Sequence, residues 1–144
     1  MLLMGVPKIR QESSMSCWHA SARMLYGYKR RASINPLPAA YTANAGLTGR
    51  QFIDLAKTVG LRTVPQVNQS FDWSYLDNLL RVYGPIWAAG RWNGFPHIIV
   101  IVGAFADGKI AYIDPADGLQ HGQDMKWFNE KIASEVAIPM MYLP

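Results

Sequence analysis

The apolar positions of this chain change period part-way along it. Over 17–28, Trp18, Ala22, Leu25 and Tyr26 recur at helical spacing, with Ser16 placed to cap the first turn and Gly27 expected to fray the last. A second helix is predicted over 47–57, capped by Thr48 and ended by Gly60, where a left-handed residue is wanted. A third carries Tyr75, Leu76, Leu79, Leu80 and Tyr83, with Asp72 or Ser74 as its cap and Gly84-Pro85 as its stop. Between the first two helices, 33–45 with Pro36 and Pro38 reads as an irregular connection, and 61–67 as a short strand that Pro65 confines to an edge.

Beyond Pro85 the pattern turns extended. Strands are predicted over 85–89, 97–105 and 109–114, the last two joined by the turn Ala106-Asp107-Gly108. Ile98 to Val102 is apolar on both faces, which calls for a central strand covered on both sides. A short helix over 124–132 turns Trp127 and Phe128 inward, and a strand over 136–142 closes the chain. Helices first and an antiparallel sheet afterwards make an α+β fold, with the N-terminal helices packed on the sheet. A length of 144 residues, without repeat, low-complexity tract or linker, suits one domain spanning 1–144.

Composition narrows the function. Half the residues are apolar and 17% are charged, which excludes a disordered chain. The formal charge of +4 is concentrated at Lys29-Arg30-Arg31, with Arg23 nearby; these residues end the first helix, where the helix dipole favours cations, so no nucleic-acid partner is expected. Met1-Leu2-Leu3-Met4 lacks a basic region and is interrupted by Gly5 and Pro7, so no signal peptide is expected. The longest apolar run is far shorter than the roughly 20 residues of a membrane span. The expectation is a soluble protein, cytoplasmic or exported by a secretion system that uses no cleaved leader.

Candidate chemistry centres on the only cysteine, Cys17. A helix N-terminus and a nearby imidazole would make it a nucleophile; the alternative for a lone cysteine is a small buried apolar side chain. Of three histidines, His97 is the best base, because it opens the most apolar strand and follows the turn-prone Gly94-Phe95-Pro96. His19 lies two residues beyond Cys17 and would point away from it on a helix, and His121 falls in a polar loop. Asp114 ends the strand expected to pair with that of His97; Asp117, in the same Asp-Pro-Ala-Asp-Gly turn, is the runner-up. One cysteine and three scattered histidines make no metal site, and there is no nucleotide fingerprint, so no cofactor is expected. Arg91 to Pro96 carries two aromatics in a turn before His97, so Trp92, Gly94 and Phe95 are candidate substrate-binding residues; the competing reading folds Trp92 and Phe95 back as a lid on the core.

Gln11, then Cys17-Trp18 six residues on, then His97 and Asp114 on successive strands, resembles the papain-like cysteine peptidases. The segments Tyr83-Gly84-Pro85-Ile86-Trp87, Pro96 to Gly103 and Ile113-Asp114-Pro115 are similar to the compact bacterial branches, namely double-glycine leader peptidase domains and secreted effector proteases. The likeness covers most of the chain and is weakest over 33–44. It implies the papain-like fold, a Cys17–His97–Asp114 triad that can rest as a thiolate–imidazolium pair, Gln11 as an oxyanion donor and Trp18 beside the substrate. It further implies an endopeptidase acting on a protein or peptide, with a small residue such as glycine before the cut and a cognate inhibitor or immunity protein in the producing cell. Glu12 departs from the pattern and is expected to face solvent. The same residues would also serve a deamidase, a transglutaminase-like enzyme or a peptidoglycan amidase, and a catalytically dead binding module is the third reading.

Overall fold

A computed structural model of the chain describes residues 1–31, 48–65 and 70–144. The expected irregular connection over 33–45, the first residue of the predicted 47–57 helix and the end of the predicted 61–67 strand lie outside the described residues. The elements run α1 (Cys17–Lys29), α2 (Gly49–Thr58), β1 (Arg62–Thr63), α3 (Trp73–Tyr83), β2 (Ile86–Gly90), β3 (His97–Ala104), β4 (Lys109–Asp114), β5 (Leu119–Asp124), α4 (Met125–Lys131) and β6 (Met140–Tyr142). The strands form one antiparallel sheet in the order β1-β6-β2-β3-β4-β5. This is the α+β architecture the sequence pattern predicts.

All eight residues of β3 are buried, as a strand without a polar face requires. Ile98, Val100 and Val102 join Trp18, Leu25, Phe52 and Ala56 in a core beneath α1 and α2. Ile99 and Ile101 join Leu76, Leu80 and Phe128 in a second core beneath α3 and α4. Each such side chain stabilises the fold by roughly 1.5–3 kcal/mol relative to exposure. Trp87 of β2 is fully buried and its indole N–H donates to the Trp18 carbonyl at 3.1 Å, which ties the sheet to the first turn of α1.

The helix boundaries follow side-chain chemistry. Thr48 and Gln51 form a complete capping box on α2, and Gly60 adopts φ +95° just beyond its end. Asp72, rather than Ser74, caps α3 by accepting from Tyr75 N–H at 2.8 Å, and Asp124 caps α4 in the same way through Trp127 N–H. Several expectations need correction. Ser16 occupies the N-cap position of α1, but its hydroxyl turns back to the Ser13 carbonyl and N–H, so its side chain caps no N–H of the first turn. The helix does not fray at Gly27; the missing side chain admits the Pro7 ring, which a Cβ would meet at 2.6 Å. Among the described residues β1 and β6 are shorter than predicted, and residues 119–123, read as a loop, form with Asp124 the edge strand β5. Leu-Gln-His-Gly-Gln-Asp shows no alternation because this strand is solvated along nearly its whole length.

Gly90, at the end of β2 opposite His97, admits no larger residue: a Cβ there would lie 2.5 Å from the Trp92 ring and 2.6 Å from the Lys131 carbonyl. Gly90→Ala is therefore expected to cost about 1–3 kcal/mol of stability through overpacking. Urea denaturation checks this, and an unchanged midpoint would show that the 131–133 segment yields freely.

Candidate active site

Cys17 is the first residue of α1, and the helix delivers it to the start of β3. Its thiol is 1% exposed and accepts the backbone N–H of Ile98, the residue after His97. Burial pushes the thiol up from 9.0 to about 12, outweighing the N–H groups of Ile98, Trp18 and Cys17 itself, which pull it down; the Asp114 charge adds to the rise. The thiol is thus neutral at ordinary pH. Burial weighs against the resting thiolate–imidazolium pair that the resemblance implies.

His97 and Asp114 meet because of strand register. Val100 pairs with Ile113, so Asp114 continues β4 opposite Ile99, and His97 lies diagonally across on the same face of the sheet. His97 Nε2 and Asp114 Oδ1 are 2.6 Å apart, and the histidine is 2% exposed. Oδ1 also accepts from Ala116 N–H at 2.9 Å, while Oδ2 accepts from Asn93 Nδ2 at 3.3 Å. Burial pushes the Asp114 carboxyl up, but the His97 bond, the Ala116 N–H, the His97 charge and the Asn93 amide together carry it below the ordinary range. As an anion it accepts the Nε2 proton of His97, which leaves Nδ1 as the nitrogen with an open lone pair.

Gln11 lies on the loop leading into α1 and is joined to the turn after Asp114, its N–H donating to the Pro115 carbonyl at 2.7 Å. Gly118, at φ +71°, closes the same junction against the Arg10 backbone. Both amide protons of the Gln11 side chain are engaged, with the Ser13 carbonyl at 2.9 Å and the Ser14 carbonyl at 3.1 Å, while Oε1 is buried without a partner. Glu12 faces solvent as expected and pairs with Arg23 at 3.6 Å.

The other candidates divide by exposure. Phe95 is 52% exposed with its ring edge-on to His97, centroids 5.8 Å apart. Gly94 sits in open space at φ +87°. Trp18 and Trp92 are buried, so neither indole walls a groove. Trp92 donates to the Ala88 carbonyl and packs on Trp127 and Phe128, which is the lid-on-core alternative; its neighbour Phe95 takes the exposed one. His19 is buried beside Trp18, and His121 pairs with Asp117 at 2.7 Å on the exposed β5 edge. Two residues at the site were not singled out from sequence. Asn93 carried a signal in the Asn-Gly turn before His97; Leu119, 58% exposed and paired with Asp114, carried none because its strand has no apolar pattern.

Residues 3–133 match a family model described as papain-like cysteine protease AvrRpt2. The match contains Gln11, Cys17, His97 and Asp114.

The buried neutral thiol predicts sluggish alkylation. Iodoacetamide at pH 8 is expected to modify folded Cys17 more than about a hundredfold more slowly than free cysteine, and faster as pH rises, because only the thiolate reacts. Rapid alkylation already near pH 6, followed by mass spectrometry, would instead reveal a standing thiolate.

Proposed function

The chain belongs to the papain-like cysteine protease AvrRpt2 family and is a cysteine peptidase; from this premise we propose an endopeptidase in which Cys17 is the nucleophile, His97 the general base, Asp114 its orienting partner and Gln11 an oxyanion donor. The observation that carries the assignment is the buried 2.6 Å His97–Asp114 pair set beside a thiol held by the N–H of the residue next to that histidine.

The reaction follows from which nitrogen is open. With Nε2–H bonded to Asp114, Nδ1 takes the thiol proton as Sγ attacks the peptide carbonyl carbon, and the carbonyl electron pair moves onto oxygen. Because the thiol starts neutral, proton transfer accompanies attack. The oxyanion is received by the first N–H groups of α1, which Ser16 does not cap, and by the Gln11 amide once it exchanges the Ser13 or Ser14 carbonyl for the new oxygen. Collapse of the tetrahedral species breaks the C–N bond, and the leaving amine takes the proton from Nδ1. Water then attacks the thioester, gives a proton to Nδ1, and the thiol is restored as the acid leaves.

The substrate is a protein or peptide. In the full reading the chain works as one domain over 1–144, is a soluble bacterial effector, cuts after a small residue such as glycine, and is held in check in the producing cell by an inhibitor or immunity protein. Family membership supports the effector role. Among the described residues no helix is long and apolar enough to cross a membrane.

Cys17→Ala should abolish turnover and keep the fold. The test compares new protein N-termini in lysates treated with wild type and variant; wild-type-specific N-termini are expected, and cleavage by the variant at the wild-type rate would remove Cys17 from the reaction. A mass gain of about one dalton without cleavage would point to deamidation instead.

Asp114→Asn should lose about tenfold in kcat/KM and Asp114→Ala more, both well short of the roughly 10⁴-fold loss when a serine-protease aspartate is neutralised. Removing the carboxylate also removes a stabiliser of the protonated imidazole. The acid limb of the rate profile, set by the need for unprotonated His97, is therefore expected to move to lower pH. Full activity and an unshifted profile in the Ala variant would leave a Cys17–His97 dyad.

A further inference from the structure

Asp114 presents two oxygens to two different jobs. Oδ1 is fixed by His97 and by Ala116 N–H, whereas the protein donor at Oδ2 is the Asn93 side chain, 3.3 Å away. A carboxylate held at one oxygen can still turn about its Cβ–Cγ bond, and that turn carries Oδ1 out of the plane of the imidazole. A donor on the second oxygen stops it.

Asn93 is placed to do this independently of its own bonding. The turn around it is built by backbone and neighbours: Arg91 N–H donates to the Lys131 carbonyl at 2.7 Å, Gly94 N–H to the Arg91 carbonyl at 3.0 Å, and Trp92 is anchored in the core through Ala88. Gly94 supplies the positive φ of +87°. The Asn93 amide is therefore spare to the turn, and it donates instead to the carboxylate of the proposed triad.

We infer that Asn93 is a positioning residue for the peptidase reaction: its amide clamps Oδ2 of Asp114, so that Oδ1 keeps the His97 ring turned with Nδ1 toward the thiol. This rests on the assignment of His97 and Asp114 given above. An exposed turn asparagine with no such role would leave activity per folded molecule untouched when replaced.

The test uses Asn93→Ala and Asn93→Asp in the full chain, beside wild type and Cys17→Ala, with folding matched by circular dichroism and active sites counted with a thiol-directed peptide electrophile. Asn93→Ala is expected to lower kcat about tenfold with KM nearly unchanged, since a base held loosely is out of line for part of the time. Asn93→Asp keeps the shape and the turn but sets a second carboxylate against Asp114. Added negative charge favours the protonated imidazole, so the acid limb of the rate profile should move to higher pH, a shift that a merely structural residue would not produce. Wild-type kcat in Asn93→Ala, or a loss confined to KM, overturns the inference, as does an unshifted profile in Asn93→Asp. Should Cys17→Ala retain activity, the assignment of the site itself fails and this inference with it; an inactive Cys17→Ala with wild-type-like Asn93 variants defeats the inference alone.

Discussion

The structure depends on burying β3. A strand reading His-Ile-Ile-Val-Ile-Val-Gly-Ala has no face to give to water, so both faces must be roofed, and the helices are distributed accordingly, α1 and α2 on one side, α3 and α4 on the other. The roof has an end. His97 is the first residue of the strand and its only strongly polar one, and it lies where α1 begins and where the turn from β2 returns. A buried imidazole costs free energy unless its ring nitrogens are bonded, and the neighbouring strand meets that need with Asp114. The polar pair thus follows from the same register that packs the isoleucines.

The remaining pieces come from loops, and the loops are tied to each other. The Gln11 N–H to Pro115 bond and the close approach of Gly118 to Arg10 fasten the segment entering α1 to the turn leaving β4. Trp87 fastens the first turn of α1 to β2 from below. Cys17 and Asp114, 97 positions apart in sequence, are therefore held by short hydrogen bonds at both ends rather than by the cores alone. Two-sided support of this kind is what a reaction sensitive to sub-ångström placement demands.

Much of this was legible in the sequence. β3 and β4, the Thr48 cap of α2 and the Asp114 partnership could be read because each depends on local pattern or on adjacent strands. What could not be read depends on partners remote in sequence or on solvent. Ser16 had the right identity for a cap, but Ser13 competes for its hydroxyl. Gly27 looked like a weak point of a helix until Pro7 filled its place. β5 was hidden because an edge strand wet on most of its positions has no hydrophobic period. Trp92 and Phe95 stand three residues apart in one turn and face opposite ways, and composition alone could not divide them.

The neutral thiol makes geometry matter more than charge in the proposed reaction. A thiolate already formed would need only a substrate in reach, with the histidine returning a proton later. A thiol raised to about 12 by burial must lose its proton as it attacks, so sulfur, hydrogen and Nδ1 have to be aligned at that moment. The alignment is carried by a single hydrogen bond from the far side of the ring, and hence by the carboxylate that accepts it. A carboxylate with one oxygen doubly bonded and the other clamped has lost most of its rotational freedom before substrate arrives. In the proposed reaction that prior ordering would lower the barrier, because it would no longer have to be supplied in the transition state.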